Sequence, residues 1–531
     1  MKRTLLLAAA LTFAFAAAHA ADTPDKTGGS SSATAQDTFK PEQTTTSGSV
    51  SVEGDRIDYQ AVAGTIVVHP KGWDDVKDKT NKKNPDAEAS MFYVAYFKKG
   101  AEPGSRPITF LYNGGPGSAS VWLHMGAFGP KRVVTNDDTH TPAAPYQLIN
   151  NDSSLLDASD LVFIDAPGTG FSRIAGKDKE KSFFGVDQDA HAYSEFIKQF
   201  LSQYGRWNSP KYLFGESYGT TRSAALIAVL ETEDNIDFNG VVLLSQILNY
   251  GLSVGRAETN PGVDLPYALA LPTYAATAWY HHKLPGQQPA DLPKFLGGVQ
   301  HFAMGDYLDA LQAGSMLNSA QRNTIANKLH QFTGLPVSYI LKANLRIDGG
   351  EFEKNLQADT GTTTGRLDSR FSGPDLDPLS QRAEYDPQSA AISSAYVSAF
   401  NDYVRSQLNY GEGKTYVPSL RVYRSWDFHH QQPGSRMPLQ SAVNVLPDLS
   451  VALKYNPRLK VLLNAGYFDL ATPYYEGVYE MRHLQIPRNL VPNVQFHFYQ
   501  SGHMVYAHAP ALKELHDTVA GFIRATDNLN H

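Results

Sequence analysis

The stretch that decides the fold is Tyr212-Leu213-Phe214-Gly215-Glu216-Ser217-Tyr218-Gly219, in which a Gly-x-Ser-x-Gly pentapeptide separates two periodic patterns. Residues 211–214 are typical of a buried strand, and residues 220–231 carry the apolar stripe of a helix. A strand-to-helix turn of this kind exposes the serine hydroxyl, and the flanking glycines leave room for the cramped backbone. The pattern therefore predicts an α/β fold with Ser217 as a nucleophile.

A second copy of the pentapeptide pattern occurs at Gly251-Leu252-Ser253-Val254-Gly255. Residues 256–262 follow it without an apolar period and end in Pro261-Gly262, so no helix is predicted there. Because a nucleophile elbow needs that helix, we do not expect Ser253 to be a nucleophile.

Length and composition narrow the class of protein. With 531 residues, the chain can form one large α/β domain with an insertion, or two domains. A net charge of −7 without long Lys or Arg runs disfavours nucleic-acid binding. The absence of cysteine excludes thiol catalysis. The pairs His281-His282 and His429-His430 are adjacent residues rather than ligands spaced one helical turn apart, so we expect neither a metal nor a cofactor.

The N-terminus has the pattern of an export signal. Met1-Lys2-Arg3 precedes an apolar run over 5–18 and the small-residue pattern Ala18-His19-Ala20. We therefore predict a signal peptide over 1–20 and a periplasmic or extracellular protein without stable membrane insertion. Residues 21–49 are rich in Thr, Ser and Gly, which predicts a disordered linker.

Short apolar runs, each ending at a loop of small or polar residues, predict the buried strands of a mostly parallel sheet. These runs are 108–112, 161–164, 212–214, 241–244, 461–463 and 494–499, and alternating patterns between 50 and 99 add antiparallel strands before them. The last helix, 510–526, is predicted to bury Leu512, Leu515, Val519, Phe522 and Ile523.

The strand-helix rhythm stops between Leu244 and Val461. Amphipathic stretches there predict a largely helical inserted cap, and residues 349–377 are predicted to form a long loop. The expected organisation is a core over 50–250, an inserted cap over 251–455 and the rest of the core over 456–531.

A serine nucleophile needs a histidine base that a carboxylate orients. Asp469 follows the strand 460–463, and His503 follows the strand 494–499. The order Ser, Asp, His is that of α/β-hydrolases. Asp469 as a helix cap, and His503 as one of 17 surface-loop histidines, are the alternatives. The positions of both residues at strand ends favour catalysis.

Acyl transfer also needs donors for the oxyanion. The N–H group of Tyr218, directly after the nucleophile, would supply one donor. The loop Asn113-Gly114-Gly115-Pro116-Gly117 follows a predicted strand, and its glycines leave the backbone open to a substrate carbonyl. A tight strand-end turn is the alternative reading of this loop.

Several segments occur in a fixed order along the chain: Asn113-Gly114-Gly115-Pro116-Gly117-Ser118, Asp165-Ala166-Pro167-Gly168-Thr169-Gly170-Phe171-Ser172, Gly215-Glu216-Ser217-Tyr218-Gly219, the Asp469 segment and Ser501-Gly502-His503. Together they resemble the serine carboxypeptidase family over about Thr65 to Ile523. The resemblance implies an α/β-hydrolase fold with a helical insertion, and an enzyme that removes single residues from the C-termini of peptide substrates through an acyl-enzyme.

The resemblance also implies roles for individual residues. Gly115 and Tyr218 would donate their N–H groups to the oxyanion. Asn113 and Glu216, with Gly114 beside them, would bind the terminal carboxylate of the substrate. Glu216 would do so as the protonated acid, because two carboxylates repel each other.

The chain departs from the family pattern at three positions. Ala127 stands where the family has a second glutamate, Leu111 where it has a tryptophan, and Ser118 where it has a cysteine. Because the partner of Glu216 is lost, our hypothesis is an active enzyme with a weaker preference for acidic pH.

Two other functions fit the same residues. An esterase or acyltransferase would use the same triad and oxyanion hole, since a fold does not fix the substrate. An inactive binding protein would keep the fold and hold ligands with its cap, although an intact triad argues against it. The sequence does not settle the oligomeric state.

Overall fold

The computed structural model describes residues 38–75, 84–437 and 443–529. The predicted signal peptide over 1–20, and residues 21–37 of the predicted linker, lie outside the described residues. The strands are β1 (Gln43–Val52), β2 (Asp55–Val68), β3 (Glu88–Lys98), β4 (Ile108–Tyr112), β5 (Lys131–Val133), β6 (Leu148–Asn150), β7 (Asp160–Ile164), β8 (Arg173–Ala175), β9 (Lys211–Glu216), β10 (Gly240–Leu244), β11 (Thr362–Thr364), β12 (Ser372–Pro374), β13 (Lys460–Gly466) and β14 (Val494–Tyr499). The helices are α1 (Lys179–Phe183), α2 (Val186–Gln203), α3 (Tyr218–Thr232), α4 (Leu265–Tyr280), α5 (Leu292–Phe302), α6 (Leu308–Ala313), α7 (Ser319–Thr333), α8 (Val337–Lys342), α9 (Gly349–Asn355), α10 (Pro387–Ser406), α11 (Leu446–Tyr455), α12 (Tyr474–Arg482) and α13 (Ala509–Thr526).

The central sheet has the strand order β1-β2-β3-β7-β4-β9-β10-β13-β14, with β8 paired to β3. Its first three pairings are antiparallel, and the pairings from β7 to β14 are parallel. The mostly parallel sheet of an α/β-hydrolase fold is therefore confirmed. Strands β4 and β14 begin and end at the predicted residues.

Helices cover both faces of the sheet, which explains the continuous apolar runs of the parallel strands. Side chains that alternate along each strand enter two separate cores: Phe110 and Leu213 pack in one, and Leu111 and Phe214 in the other. Helices α2, α3 and α11 close one core, and α10 and α13 close the other. All five residues predicted for the buried face of α13 are buried.

Strand β1 corrects the prediction of a disordered linker over 21–49. It pairs antiparallel with β2 in a register that runs from Gln43 opposite Gly64 to Val52 opposite Asp55. Its side chains alternate in burial, and only the last two apolar ones, Val50 and Val52, are nearly inaccessible. Backbone pairing at a sheet edge therefore orders a segment whose composition alone predicts a coil.

The helices that follow β10 form the predicted insertion. Helices α4 to α9 share a third apolar cluster, which also contains Phe468 and Tyr474 of the second core segment. The long loop predicted over 349–377 is wrong, because this segment contains α9 and the β11–β12 hairpin. Asp348 caps α9 by accepting a hydrogen bond from Glu351 N at 3.2 Å, and Phe352 is fully buried.

Two helices within the predicted insertion, α10 and α11, pack on the central sheet instead of in the third apolar cluster. Tyr396 and Phe400 of α10 pack in one core of the sheet, and Leu449 and Leu453 of α11 pack in the other. We therefore propose a cap that ends before α10, rather than the single insertion over 251–455 that the sequence predicts.

Candidate active site

Ser217 lies at the turn between β9 and α3 with φ 60° and ψ −130°, a conformation that side chains rarely adopt. Its backbone N–H donates to Leu244 O at 3.0 Å, which fixes the turn against β10. The flanking glycines have a steric cause. A Cβ on Gly215 would lie 2.2 Å from Gly219 O, and one on Gly219 would lie 3.0 Å from Tyr112 O.

The strand ends bring His503 and Asp469 together. His503 Nδ1 lies 2.7 Å from Asp469 Oδ2, and both side chains are buried. The other Asp469 oxygen accepts from the N–H groups of Ala471 and Thr472, each at 2.9 Å. Asp469 therefore caps the following turn and contacts the histidine at the same time. The two roles predicted from the sequence, helix cap and partner of the histidine, are compatible.

Thr472 is a member of this group that the sequence did not indicate. Its hydroxyl donates to Asp469 Oδ2 at 2.6 Å and lies 3.2 Å from His503 Nδ1. The residue comes three positions after the aspartate, but nothing in a single sequence marks such a threonine as part of the site.

Opposing effects set the basicity of the histidine. Burial lowers the pKa of His503, whereas the charge and hydrogen bond of Asp469, together with the charge of Glu216, raise it. The net result is a pKa above the ordinary 6.5. The Asp469 contact also holds the imidazole with Nδ1 occupied, which leaves Nε2 to act as a base.

The glycine loop after β4 packs on the elbow. A Cβ on Gly114 would lie 2.4 Å from Tyr218 N and 2.6 Å from Gly219 N, so only glycine fits. Gly115 has φ 107° and lines a cavity together with Ser217 and Tyr218. The two predicted oxyanion residues therefore flank the serine in one cavity wall.

A buried ion pair supports the loop and the elbow together. Arg222 of α3 and Asp189 of α2 are both fully buried, and Arg222 Nε lies 2.7 Å from Asp189 Oδ2. The same guanidinium donates from Nη1 to Asn113 O at 2.8 Å. Arg222 lies in a predicted helix, and a charged residue in a helix normally faces solvent. The sequence pattern therefore did not indicate that Arg222 forms a buried ion pair.

Asn113 and Glu216 lie buried beside the Ser217 elbow. Asn113 Oδ1 accepts from Leu123 N at 3.2 Å, whereas its Nδ2 is buried without a hydrogen-bond partner among the described residues. A buried donor without a partner costs free energy unless a ligand satisfies it. The amide is near enough to Glu216 to lower the pKa of that carboxyl group, and it can also donate to an acceptor that arrives from outside.

Tyr506 contacts Glu216, whereas the position at which the family pattern has a second glutamate is Ala127. The Tyr506 hydroxyl donates to Glu216 Oε2 at 2.7 Å, while Ala127 is buried in one turn of π-helix at 123–128. Burial is the largest effect and raises the pKa of Glu216 to about 7, against the lowering effects of His503 and the Tyr506 hydrogen bond. Glu216 is therefore protonated across the acidic range. Tyr506 is a further residue that the sequence did not indicate.

The cavity in front of Ser217 has a volume of about 880 Å³. The core contributes Ile247, Tyr250 and Glu476 to its wall, and the insertion contributes Glu353 and Arg366. Ser253 of the second pentapeptide also lines this cavity, after a short 3-10 turn rather than before a helix.

Comparison with known proteins identifies the family. A model of the family described as serine carboxypeptidase matches residues 81–530. The chain belongs to the serine carboxypeptidase family. The sequence resemblance is thereby confirmed, and the match runs from a point between β2 and β3 through the insertion and the second core segment.

Curated relatives match only part of this chain. A carboxypeptidase Y homolog of Arthroderma benhamiae is 28% identical over 195 residues, which is 36% of this chain and 35% of the relative. The pheromone-processing carboxypeptidase KEX1 of Verticillium alfalfae is 29% identical over 135 residues, 25% of this chain and 19% of the relative. The chain thus aligns with about a third or less of these relatives.

A solved proline iminopeptidase from Mycobacterium smegmatis is 12% identical to this chain, with a TM-score of 0.33, over 91% of this chain and all of that chain. Within the described part of this chain, no helix combines the length and the apolar character that crossing a membrane requires.

Proposed function

We propose that this protein is a serine carboxypeptidase that releases C-terminal residues from peptides. The observation that carries the proposal is the position of the unpartnered Asn113 Nδ2 and the buried Glu216 directly beside the Ser217 elbow. An esterase needs the triad and the oxyanion donors, but it has no use for a carboxylate-binding pair at this place.

In the proposed acylation step, Ser217 Oγ attacks the carbonyl carbon of the last peptide bond. His503 Nε2 takes the hydroxyl proton, and Asp469 stabilises the imidazolium through its contact with Nδ1. The N–H groups of Gly115 and Tyr218 bind the oxyanion. His503 then gives its proton to the leaving amine, the C–N bond breaks, and the C-terminal residue departs.

In the proposed deacylation step, water attacks the acyl-enzyme. His503 removes a proton from that water and returns it to Ser217 Oγ as the ester bond breaks. The products are the peptide shortened by one residue and the free enzyme.

The terminal carboxylate of the substrate would bind to Asn113 Nδ2, beside Gly114, and to the protonated carboxyl group of Glu216. Tyr506 supports this assignment, because its hydroxyl donates to one Glu216 oxygen and thereby fixes the orientation of the group. The pKa of about 7 would allow Glu216 to donate well above the ordinary range of a carboxylic acid.

Export is part of the proposal and rests on the sequence of residues 1–20. A cleaved signal peptide would deliver the enzyme to the periplasm or the exterior. Mass determination of the N-terminus of the protein recovered outside the cytoplasm would test it: a mature chain that begins at Ala21 supports cleavage, and a chain that retains Met1 contradicts it.

The test of function compares N-blocked peptides that differ only in their C-terminal group. We expect stepwise loss of single residues from the free acid, and much slower cleavage of the matching amide, with products identified by mass. Internal cleavage, or turnover of a blocked amino-acid ester without any peptide cleavage, would contradict the proposal and favour the esterase. Absence of all turnover would favour a binding protein.

A further inference from the structure

Glu476 is a buried acid in the wall of the catalytic cavity. It lies in the first turn of α12, seven residues after Asp469, and is 3% exposed. Its carboxylate makes no hydrogen bond or ion pair with any residue that the structure describes, although the side chain borders the cavity. A buried carboxylate without a partner is costly unless it is neutral or meets a cation.

Glu480, one helical turn further along α12, provides a contrast. One of its oxygens accepts from Asn249 N at 2.9 Å, and the other accepts from Gln246 Nε2. Its hydrogen bonds within the protein are therefore made, and it does not line the cavity. The two glutamates differ in that only Glu476 presents an unused acceptor to the substrate space.

The surroundings of Glu476 are negative. Burial raises its pKa well above the ordinary value, and the charges of Glu480 and Asp469 raise it further. The arginines of the cavity belong to the insertion: Arg382 pairs with Asp348, and both Arg382 and Arg366 act on Glu353. The core side of the cavity therefore lacks a counter-charge for Glu476 among the described residues.

The cavity receives the acyl side of the substrate. Ser217 and both proposed oxyanion residues line it, whereas Asn113, Gly114 and Glu216, which would hold the terminal carboxylate, do not. The side chain that precedes the scissile bond therefore extends into this space, where Ile247 and Tyr250 offer apolar surface for an alkyl stem.

We propose that Glu476 selects substrates with a cationic side chain, lysine or arginine, at the residue that precedes the scissile bond. The inference rests on the proposed carboxypeptidase function and adds a substrate class to it. The ammonium or guanidinium group takes the place of the proton on Glu476, which restores the charge balance of the pocket. A carboxylate at the same position meets no cation that the structure describes on this side of the cavity.

The test uses N-blocked dipeptides that end in leucine and carry lysine or norleucine before it. These two side chains share the same alkyl stem and differ in the terminal ammonium group. The measured quantity is kcat/KM for leucine release at neutral pH. We expect the wild type to prefer lysine, and Glu476→Gln to reduce the lysine-to-norleucine ratio by about tenfold or more.

Glu353→Gln is the matched control, because it removes another buried glutamate from the wall of the same cavity. We expect it to leave the lysine-to-norleucine ratio unchanged. A second pair of substrates, with glutamate or glutamine before the leucine, should show no preference of the wild type for glutamate.

The wild-type ratio tests the inference even if a variant fails to fold. The inference is overturned if the wild type cleaves the lysine and norleucine substrates equally, or if it prefers glutamate, which would assign the pocket to Arg366. Leucine release in either case still supports the proposed function. Failure to release leucine from any of these dipeptides would instead contradict the proposed function, and the inference would fall with it.

Discussion

Ser217 has a positive φ that its position at the elbow imposes, and this predicts how two replacements will differ. Ser217→Ala removes the proposed nucleophile but keeps the strained conformation, whereas Ser217→Gly removes both. We expect both variants to be inactive and the glycine variant to be more stable by about 1 kcal/mol. Thermal unfolding measures the difference. A glycine variant that is less stable than the alanine variant would contradict strain at this residue.

Glu216 and His503 predict the pH dependence. Glu216 has a pKa of about 7, so the protonated form that we propose to bind a terminal carboxylate is lost as the pH rises through that value. The raised pKa of His503 means that the neutral base is lost as the pH falls. We expect KM for free-acid peptides to rise above about pH 7, and Glu216→Gln to remove that rise.

The same variant carries a second test. The charge of Glu216 is one of the effects that raise the pKa of His503, so its removal should lower that pKa. On a blocked ester without a terminal carboxylate, Glu216→Gln should therefore change kcat/KM only above about pH 7, where Glu216 is ionised, and leave the acidic limb unchanged. A shift of the acidic limb in this variant would show that Glu216 is ionised at acidic pH.

Single residues of the site were predictable where local sequence fixes the backbone. Ser217 and the glycines around it follow from the elbow pattern, and Asp469 and His503 follow from strand ends. Tyr506 contacts Glu216 across 290 positions of sequence, and Arg222 reaches Asp189 and the loop at Asn113 from a separate helix. Partners of this kind depend on tertiary packing, which one sequence does not reveal.

At the scale of elements, the buried ion pair between α2 and α3 should stabilise the fold around the site. Arg222→Met leaves Asp189 buried and unpaired, so we expect a loss of about 3–5 kcal/mol. The double variant with Asp189→Asn should recover part of this loss, as measured by denaturant unfolding. A single variant as stable as the wild type would contradict the role.

Strand β1 provides a second test at this scale. A chain that begins at Asp55 loses the buried side chains of Val50 and Val52 and exposes the edge of β2. Relative to a chain that begins at Thr38, we expect a loss of about 3–5 kcal/mol from the two valines. Equal unfolding temperatures of the two chains would show that β1 does not contribute to the sheet.

The elements that the sequence predicted differ from those that it missed in how clearly buried apolar side chains mark them. The parallel strands are buried on both faces, so their runs stand out, and the amphipathic stripe of α13 is equally clear. Strand β1 lies at an edge and buries few apolar side chains, and α9 spans only Gly349–Asn355, which is too short for a periodic pattern. Both depend on neighbours that are distant in sequence.

At the scale of the whole molecule, the core positions the proposed triad and the insertion completes the cavity. The serine, the aspartate and the histidine follow β9, β13 and β14, whose pairing through β10 sets their spacing. Residues of the insertion, including Glu353 and Arg366, close the remaining wall. The parallel sheet thus fixes the spacing of the serine, the aspartate and the histidine, whereas the core and the insertion both contribute to the wall of the cavity.

The central claim is that Ser217 is the nucleophile, and the second pentapeptide serine in the same cavity makes a sharp test possible. The measurement is the site of modification by an organophosphate, mapped by mass spectrometry and followed together with the loss of carboxypeptidase activity. The account predicts one adduct per chain, on Ser217, with activity lost in proportion to labelling. An adduct on Ser253, or full activity after labelling of Ser217, would contradict it.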